Sequence, residues 1–352
     1  LKVSLAMIVK NEEKSIGGCL DSVKDIVDEI VIVDTGSTDQ TINTVERFPK
    51  VRVFHFQWCD DFALARNYSI EHATGDYILV LDADEFIVDG ARNELEKVMS
   101  ENAIGRILID SHFKKGNQKH HSKAYVSRFF PKDIRYTGAI HEQLVSDKIK
   151  VNMNLNVKHD GYFETNKSKR NIPLLLKEAK RNPVDSYYLF QLGKELRISE
   201  QYKEAFRFLE KSYAITKRTV PYYAEIVVEL IYSGKEFGEV KLFEIISHNE
   251  EILNYLSDFH FAKGMFYLEY CLKHPDKAGI LMGEIEVSFL KCLTLENGKF
   301  TEYVRGTCSY LAAYNLGVYY EVIGSLSKAI EYYQLSAELG YLPAVERFGL
   351  LK

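Results

Sequence analysis

The stretch Gly75-Asp76-Tyr77-Ile78-Leu79-Val80-Leu81-Asp82-Ala83-Asp84-Glu85-Phe86 constrains the fold most, because five apolar residues run straight into alternating carboxylates. Five residues are too few for a buried helix. They are β-favouring types and follow a Thr74-Gly75-Asp76 turn signal, so residues 77–81 are expected to form a central strand of a parallel sheet. Ligands of such sheets bind beyond the carboxyl ends of the strands, where Asp82 and Asp84 fall. Two acids one residue apart repel unless something positive intervenes, and a divalent cation that bridges carboxylate to phosphate oxygens meets that need. An isolated D-x-D also suits a solvated loop start or a helix cap.

The upstream chain decides between these readings. Val3 to Val9 is β-rich and ends in Lys10-Asn11-Glu12-Glu13, and a helical stripe of Ile16, Leu20, Val23 and Ile26 or Val27 follows. Glu29 to Val33 repeats the strand signal and ends in Asp34-Thr35-Gly36-Ser37-Thr38-Asp39, where Gly36 permits a tight turn and Thr38 or Asp39 can cap the next helix. Val51 to Phe56 is a third strand, and Asp60 or Asp61 opens a helix through Phe62, Leu64, Ala65, Tyr68 and Ile70. Strand and helix thus alternate at the spacing of βαβ units, which predicts a parallel sheet with helices on its faces. Asn11, Glu12, Asp34, Asp82 and Asp84 then converge on one crevice of nucleotide size. Neither a G-x-G-x-x-G fingerprint nor a P-loop follows these strands, so a metal is the expected phosphate anchor.

Four segments together, VSLAMIVKNEE at 3–13, VIVDTGSTDQT at 31–41, FALARN at 62–67 and GDYILVLDADE at 75–85, resemble the inverting glycosyltransferases of family 2, which have the GT-A fold. The resemblance implies a nucleoside-diphosphate sugar as donor. By position, Asp34 would meet the uracil, Arg66 would line the donor site, Asp82 would contact the ribose or the metal, and Asp84 would ligate the metal. Further on, a helix around Leu95 and Val98 precedes strand-like runs at 106–113 and 124–130, for which mixed or antiparallel pairing is expected. Then come Tyr136-Thr137-Gly138-Ala139-Ile140-His141-Glu142 and a strand over 151–158 that ends in His159-Asp160-Gly161-Tyr162. In the family, an acid in the first of these places is the catalytic base, and a histidine after the last strand completes the metal site. Glu142 and His159 match those positions. The family's usual E-D is His141-Glu142 here, which leaves His141 as the alternative base. Arg128, Arg135, Lys167, Lys169 and Arg170 form basic clusters nearby, with Lys167 and Arg170 the preferred partners of the departing diphosphate.

The chain's 352 residues exceed a typical single domain, and its 46% hydrophobic and 27% charged content suits a globular protein. A boundary is expected after residue 165. From residue 166 long amphipathic helices replace the β-branched strands. Tyr188 to Leu196, Tyr202 to Ala205 and Leu209 resemble the tetratricopeptide pattern, in which a helix-contact alanine follows an L-G pair twelve residues after the glycine. Residues 312–337 repeat the pattern through Leu316-Gly317, Tyr320, Ala329-Ile330 and Tyr333, and a degenerate helical middle spans 221–300. The predicted architecture is therefore α/β: a GT-A catalytic domain with a mixed, mainly parallel sheet over 1–165, then an all-α repeat domain over 166–352. Stacked helix pairs offer a groove for a peptide or for a second copy of the chain, so a homodimer through the repeats is one expectation, and bracing of the first domain is another.

Five cysteines without C-x-x-C spacing suggest neither a disulfide framework nor a zinc site, and they are expected to be reduced and packed. A net charge of −5 gives no bulk attraction to nucleic acid. There is no run of 18 uncharged apolar residues, and Leu1 to Lys10 is too short for a secretory signal, so a cytoplasmic protein without a membrane span is expected.

The arrangement of a donor domain ending in H-E and H-D-G-Y, then KSKRN at 167–171 and GKEL at 193–196, is similar to the bacteriocin-modifying S-glycosyltransferases. That likeness implies a UDP-hexose donor, glucose being the expected sugar, Mg²⁺ or Mn²⁺, and a peptide cysteine or serine as acceptor. Transfer to another protein, a lipid or a cell-surface glycan remains an alternative, as does a scaffold without activity. A nucleotidyltransferase should instead open with a Gly-rich, Arg-containing loop, and a haloacid-type phosphatase should carry Thr or Val where Phe86 stands.

Overall fold

The computed structural model describes residues 1–90, 92–115, 118–159, 168–295, 304 and 306–351, with backbone only for 111–122. The chain divides into two compact units, Leu1–Thr165 and Asn166–Lys352.

The first unit begins β1 (Val3–Val9), α1 (Ile16–Val23), β2 (Glu29–Asp34), α2 (Thr41–Val45), β3 (Val51–His55), α3 (Phe62–His72) and β4 (Tyr77–Val80). It continues through β5 (Glu85–Asp89), α4 (Arg92–Ser100), β6 (Ile104–Lys115), β7 (Gln118–Pro131), β8 (Tyr136–Thr137), β9 (Gln143–Leu144) and β10 (Lys150–His159). Eight strands form one mixed sheet in the order β3-β2-β1-β4-β7-β6-β10-β5, while β8 and β9 form a separate two-stranded ribbon. β1 pairs in parallel with β2 and β4, and β2 with β3, as the βαβ spacing predicts. β7 then runs antiparallel to β4 and β6, whereas β10 is parallel to β6.

Alternation along each central strand sends side chains to two cores. Val3, Leu5, Met7 and Val9 of β1 pack in the core that holds Ile16 and Leu20 of α1 and Leu95 and Val98 of α4. Ala6 of β1, Ile78 and Val80 of β4 face the other way, towards Ala63 and Ile70 of α3. Burial of both faces is why residues 77–81 read as a continuous apolar run. Asp61 caps α3 by accepting a hydrogen bond from the Leu64 N–H at 2.9 Å.

One element differs from expectation. Residues 85–89 form an edge strand antiparallel to β10 with His159 opposite Glu85, where the sequence reading has only a loosening pattern before a helix. The two strands lie about seventy residues apart in the chain, so no local pattern reports the pairing.

Among the described residues of the second unit the regular elements are all helices: α5 (Ser168–Arg181), α6 (Ser186–Ile198), α7 (Tyr202–Ile215), α8 (Tyr223–Lys235), α9 (Lys241–Asn249), α10 (Ser257–Lys273), α11 (Pro275–Thr294), α12 (Tyr310–Val322), α13 (Leu326–Glu338) and α14 (Leu342–Leu351). Gly193 of α6 lets Leu209 of α7 approach, and Gly317 of α12 lies where a Cβ would come within 2.6 Å of the Tyr333 ring of α13. Ala205 and Ala329, twelve residues beyond each glycine, are fully buried. The middle of the unit keeps the device with other partners: Gly234 lies against Leu242, and Gly264 against Phe289. None of the described helices is long and apolar enough to cross a membrane. Cys59 is exposed, Cys19, Cys271, Cys292 and Cys308 are buried, and none of the five is in a disulfide.

Candidate active site

The loops after β1 and β2 are laced together and form one wall of the crevice. Asn11 takes a left-handed backbone with φ 58°; its N–H donates to Ser37 Oγ at 3.0 Å, and its Oδ1 accepts from the Thr38 N–H at 2.8 Å. The Glu12 N–H donates to Thr41 Oγ1 at 2.7 Å, and Glu12 Oε2 accepts from Ser15 Oγ at 2.8 Å. Asp34, the last residue of β2, is buried; it accepts from the Ser37 N–H at 2.9 Å and has His55 Nδ1 at 3.4 Å. Asn11 and Glu12 therefore build the wall that presents Asp34.

The turn after β4 carries the acids. Asp82 Oδ1 accepts from Arg66 Nη2 and Oδ2 from Arg128 Nη2, each at 2.8 Å. Burial works to raise the Asp82 carboxyl, but the charges of Arg128 and Arg66 outweigh it and hold the group far below the usual carboxylate range. Glu85 shows the reverse balance: burial pushes it up against Arg128, and the charge of Asp82 adds to burial. Asp84 points elsewhere, with Oδ2 at 3.1 Å from His159 Nε2 at the end of β10. Their side chains are 20% and 27% exposed, so both can be reached from solvent.

A hairpin supplies the third group. β8 and β9 pair antiparallel, and residues 138–142 form the loop between them, with Gly138 at φ 96° and His141 at φ 51°. Helix α3 holds this hairpin at three points. The Phe62 N–H donates to the Ala139 carbonyl at 2.8 Å. Asn67 reads the backbone of Tyr136 in both directions, accepting from its N–H and donating to its carbonyl, each at 2.9 Å. Arg66 Nε donates to Glu142 Oε1. Burial raises Glu142, yet the adjacent Arg66 charge outweighs it and holds the carboxyl below its ordinary value. Beneath them the Arg66 guanidinium lies 5.8 Å from the centre of the Tyr136 ring, and burial pushes that phenol up to about 12.

One guanidinium thus joins two of the expected site residues, Asp82 and Glu142, which lie sixty residues apart in the chain. Asp84 and His159 meet as a second pair, while the oxygens of Asp82 face arginines. Among the described residues, no three His, Cys, Asp or Glu side chains form a ready metal cluster. The Asp84–His159 pair still fits the divalent cation the family implies: two neighbouring ligands of an octahedral ion with bonds of ~2.1 Å stand about 3.0 Å apart. Asp84 and His159 would hold such an ion through one carboxylate oxygen and one imidazole nitrogen, the carboxylate being the ligand type that suits Mg²⁺ or Mn²⁺. Of the two basic residues expected at the diphosphate, Lys167 lies outside the described residues, and Arg170 is on α5 of the second unit, donating to Asn171 Oδ1 at 3.1 Å. Sequence reasoning gave no role to Glu85, Asn67 or Tyr136, and it placed Arg128 only in a basic cluster. The signals were the glutamate that closes D-A-D-E and the asparagine that follows Arg66. A depression of about 390 Å³ lined by Lys2, Ser4, Glu29, Arg52 and Gly75 lies at the opposite, amino-terminal ends of the strands. Its Arg52 and Glu29 are paired at 2.6 Å.

The sheet gathers carboxylates and an imidazole at the carboxyl ends of its parallel strands, where open α/β sheets bind their ligands. Residues 4–153, most of the first unit, match the family described as glycosyl transferase family 2. The chain is 32% identical over 224 residues, 60% of this chain and 53% of the relative, to the SPbeta prophage-derived glycosyltransferase SunS of Bacillus subtilis. It is also 32% identical over 228 residues, 60% of this chain and 56% of the relative, to a TPR repeat-containing protein of Synechococcus elongatus. The chain spans about half the length of these curated relatives. Among solved structures, S. aureus TarS 1-349 in complex with UDP-GlcNAc aligns with 79% of this chain and 92% of that one, at 15% identity and a TM-score of 0.35.

Proposed function

We propose that this chain is an inverting glycosyltransferase that moves a hexose, glucose being the expected one, from a UDP-sugar to a cysteine or serine side chain of a peptide. The observation that carries the reading is the meeting of Asp84 and His159 at 3.1 Å, on the same turn whose Asp82 shares Arg66 with Glu142. Asp84 and His159 would hold the divalent ion, which when bound supplies Lewis-acid stabilisation of the departing diphosphate. Asp34 at the end of β2 would receive the base, and Asp82 the ribose edge.

In the transfer itself, the acceptor sulfur or oxygen forms a bond to the anomeric carbon while that carbon's bond to the β-phosphate oxygen breaks on the opposite side, which inverts its configuration. The acceptor proton passes to Glu142; Arg66 occupies Oε1, so Oε2 takes the proton. The same pairing favours a thiol acceptor. Arg66 lowers the proton affinity of Glu142, and a thiol of ordinary pKa about 8.5 needs far less help from a base than a serine hydroxyl does. His141, adjacent in the hairpin loop, is the alternative base. The helical unit offers stacked hairpins on which a peptide can lie.

The test is mass spectrometry of Cys-containing and Ser-containing peptides incubated with the full chain, UDP-glucose and Mn²⁺. Gain of one hexose on the cysteine peptide is expected, and no mass gain with any UDP-sugar would contradict the proposal.

A further inference from the structure

The turn that bears Asp82 and Asp84 is closed twice by one residue that none of the assigned roles includes. The Glu85 N–H donates to the Asp82 carbonyl at 3.0 Å, and the Glu85 side chain returns to accept the Asp82 N–H on Oε2 at 2.9 Å. Its other oxygen, Oε1, accepts from Arg128 Nη2 at 2.9 Å, and the same nitrogen donates to Asp82 Oδ2. The Glu85 side chain is 3% exposed, so it meets no substrate directly. In the sheet ladder Glu85 stands opposite His159, and the next two residues are fixed to α1: the Phe86 ring lies where Gly18 leaves room, and the Ile87 N–H donates to Ser22 Oγ at 3.1 Å.

We propose that Glu85, clamped by Arg128, is a positioning residue that sets the D-A-D turn so that Asp84 and His159 meet at one point in the donor site. The inference rests on the transferase reading above and concerns how that site is built. The chemistry requires a carboxylate of this length. Glutamate alone offers two acceptor oxygens and no donor at the required reach; a glutamine keeps one acceptor and turns an NH₂ towards either the Asp82 N–H or Arg128, and an aspartate is one methylene short. Because Glu85 opens β5 and directly follows Asp84, loss of its two side-chain bonds lets the turn relax and moves Asp84 away from His159. Partners behind a metal ligand that fix its orientation commonly matter by ~10- to 100-fold in affinity.

The experiment is calorimetric titration of the full chain with UDP in the presence of Mn²⁺, comparing wild type, Glu85→Gln and Arg128→Lys. The dissociation constant reports the geometry of the site, while the stoichiometry reports the folded fraction. Glu85→Gln is expected to weaken UDP binding ~10-fold or more with near-wild-type stoichiometry, and Arg128→Lys, which keeps the charge but is too short to place a nitrogen between Glu85 Oε1 and Asp82 Oδ2, to weaken it in the same direction. A wild-type dissociation constant in Glu85→Gln, whatever its stoichiometry, would assign the residue a structural role only and overturn the inference. Should Glu85→Gln not fold, Arg128→Lys decides by the same criterion. Failure of the wild type to bind UDP with Mn²⁺ would overturn the transferase reading, and this inference with it.

Discussion

Asp84 and Glu142 are carboxylates of one crevice, yet they are held in opposite ways. Asp84 is 20% exposed and meets an imidazole that is itself 27% exposed. Glu142 is 14% exposed and meets a guanidinium, which stays charged at any working pH and is itself buried against Tyr136. On the proposed reading, the donor side is completed by a ligand, while the acceptor-side carboxylate is held by the protein alone. Helix α3 carries the hairpin: Phe62, Arg66 and Asn67 hold it at Ala139, Glu142 and Tyr136.

The sharpest way to break this contrast is Glu142→Gln. Loss of a general base is expected to lower kcat by ~10²- to 10⁴-fold for a serine peptide and by much less for a cysteine peptide, with UDP affinity unchanged. Steady-state kinetics on both peptides checks it; equal losses would mean that Glu142 does more than take a proton. Next in size, Asp84→Ala should weaken Mn²⁺-dependent UDP binding by about 100-fold in a calorimetric titration, with little change in thermal stability. A large fall in melting temperature would show that Asp84 is part of the structural frame, as Glu142 is.

Asn67→Ala sharpens the acceptor half. It removes two hydrogen bonds to the Tyr136 backbone and should cost about 1–3 kcal/mol in urea denaturation and lower kcat, while leaving UDP affinity intact. The smallest effect is on pH. Arg66 holds Glu142 below its unfolded value, so the stability this pair contributes is fully present above the ordinary carboxylate pKa of about 4.3 and is lost as pH falls through the lower folded value. Acid denaturation of the wild type should therefore show a limb below about pH 4 that Glu142→Gln flattens.

Legibility in the sequence followed the range of the interactions. β1 to β4 could be read because apolar alternation and βαβ spacing are local, and the repeats at Gly193 and Gly317 could be read because the contact alanine recurs at a fixed offset. The intervening hairpins use the same glycine contact but place Leu242 and Phe289 against it, so the offset rule does not detect them. β5 is fixed by pairing with β10 across about seventy residues. In the site, the Asp84 and His159 positions could be named from motifs. By contrast, Glu142, one partner of Arg66, lies 76 residues away, and nothing near Arg66 in the chain reports that its guanidinium meets the β8–β9 hairpin as well as Asp82. Glu85 was hidden for a further reason: a third acid after D-A-D reads as more of the same charge, whereas its oxygens are turned inward to the Asp82 amide and Arg128.

The central claim, that Asp84 and His159 grip one cation at the donor site, is tested most directly by pulsed electron paramagnetic resonance of Mn²⁺ bound to the full chain with UDP. The account predicts nitrogen hyperfine coupling from one imidazole in the wild type and its disappearance in His159→Ala. Bound Mn²⁺ whose spectrum carries no such coupling, or carries it unchanged in His159→Ala, would contradict the claim.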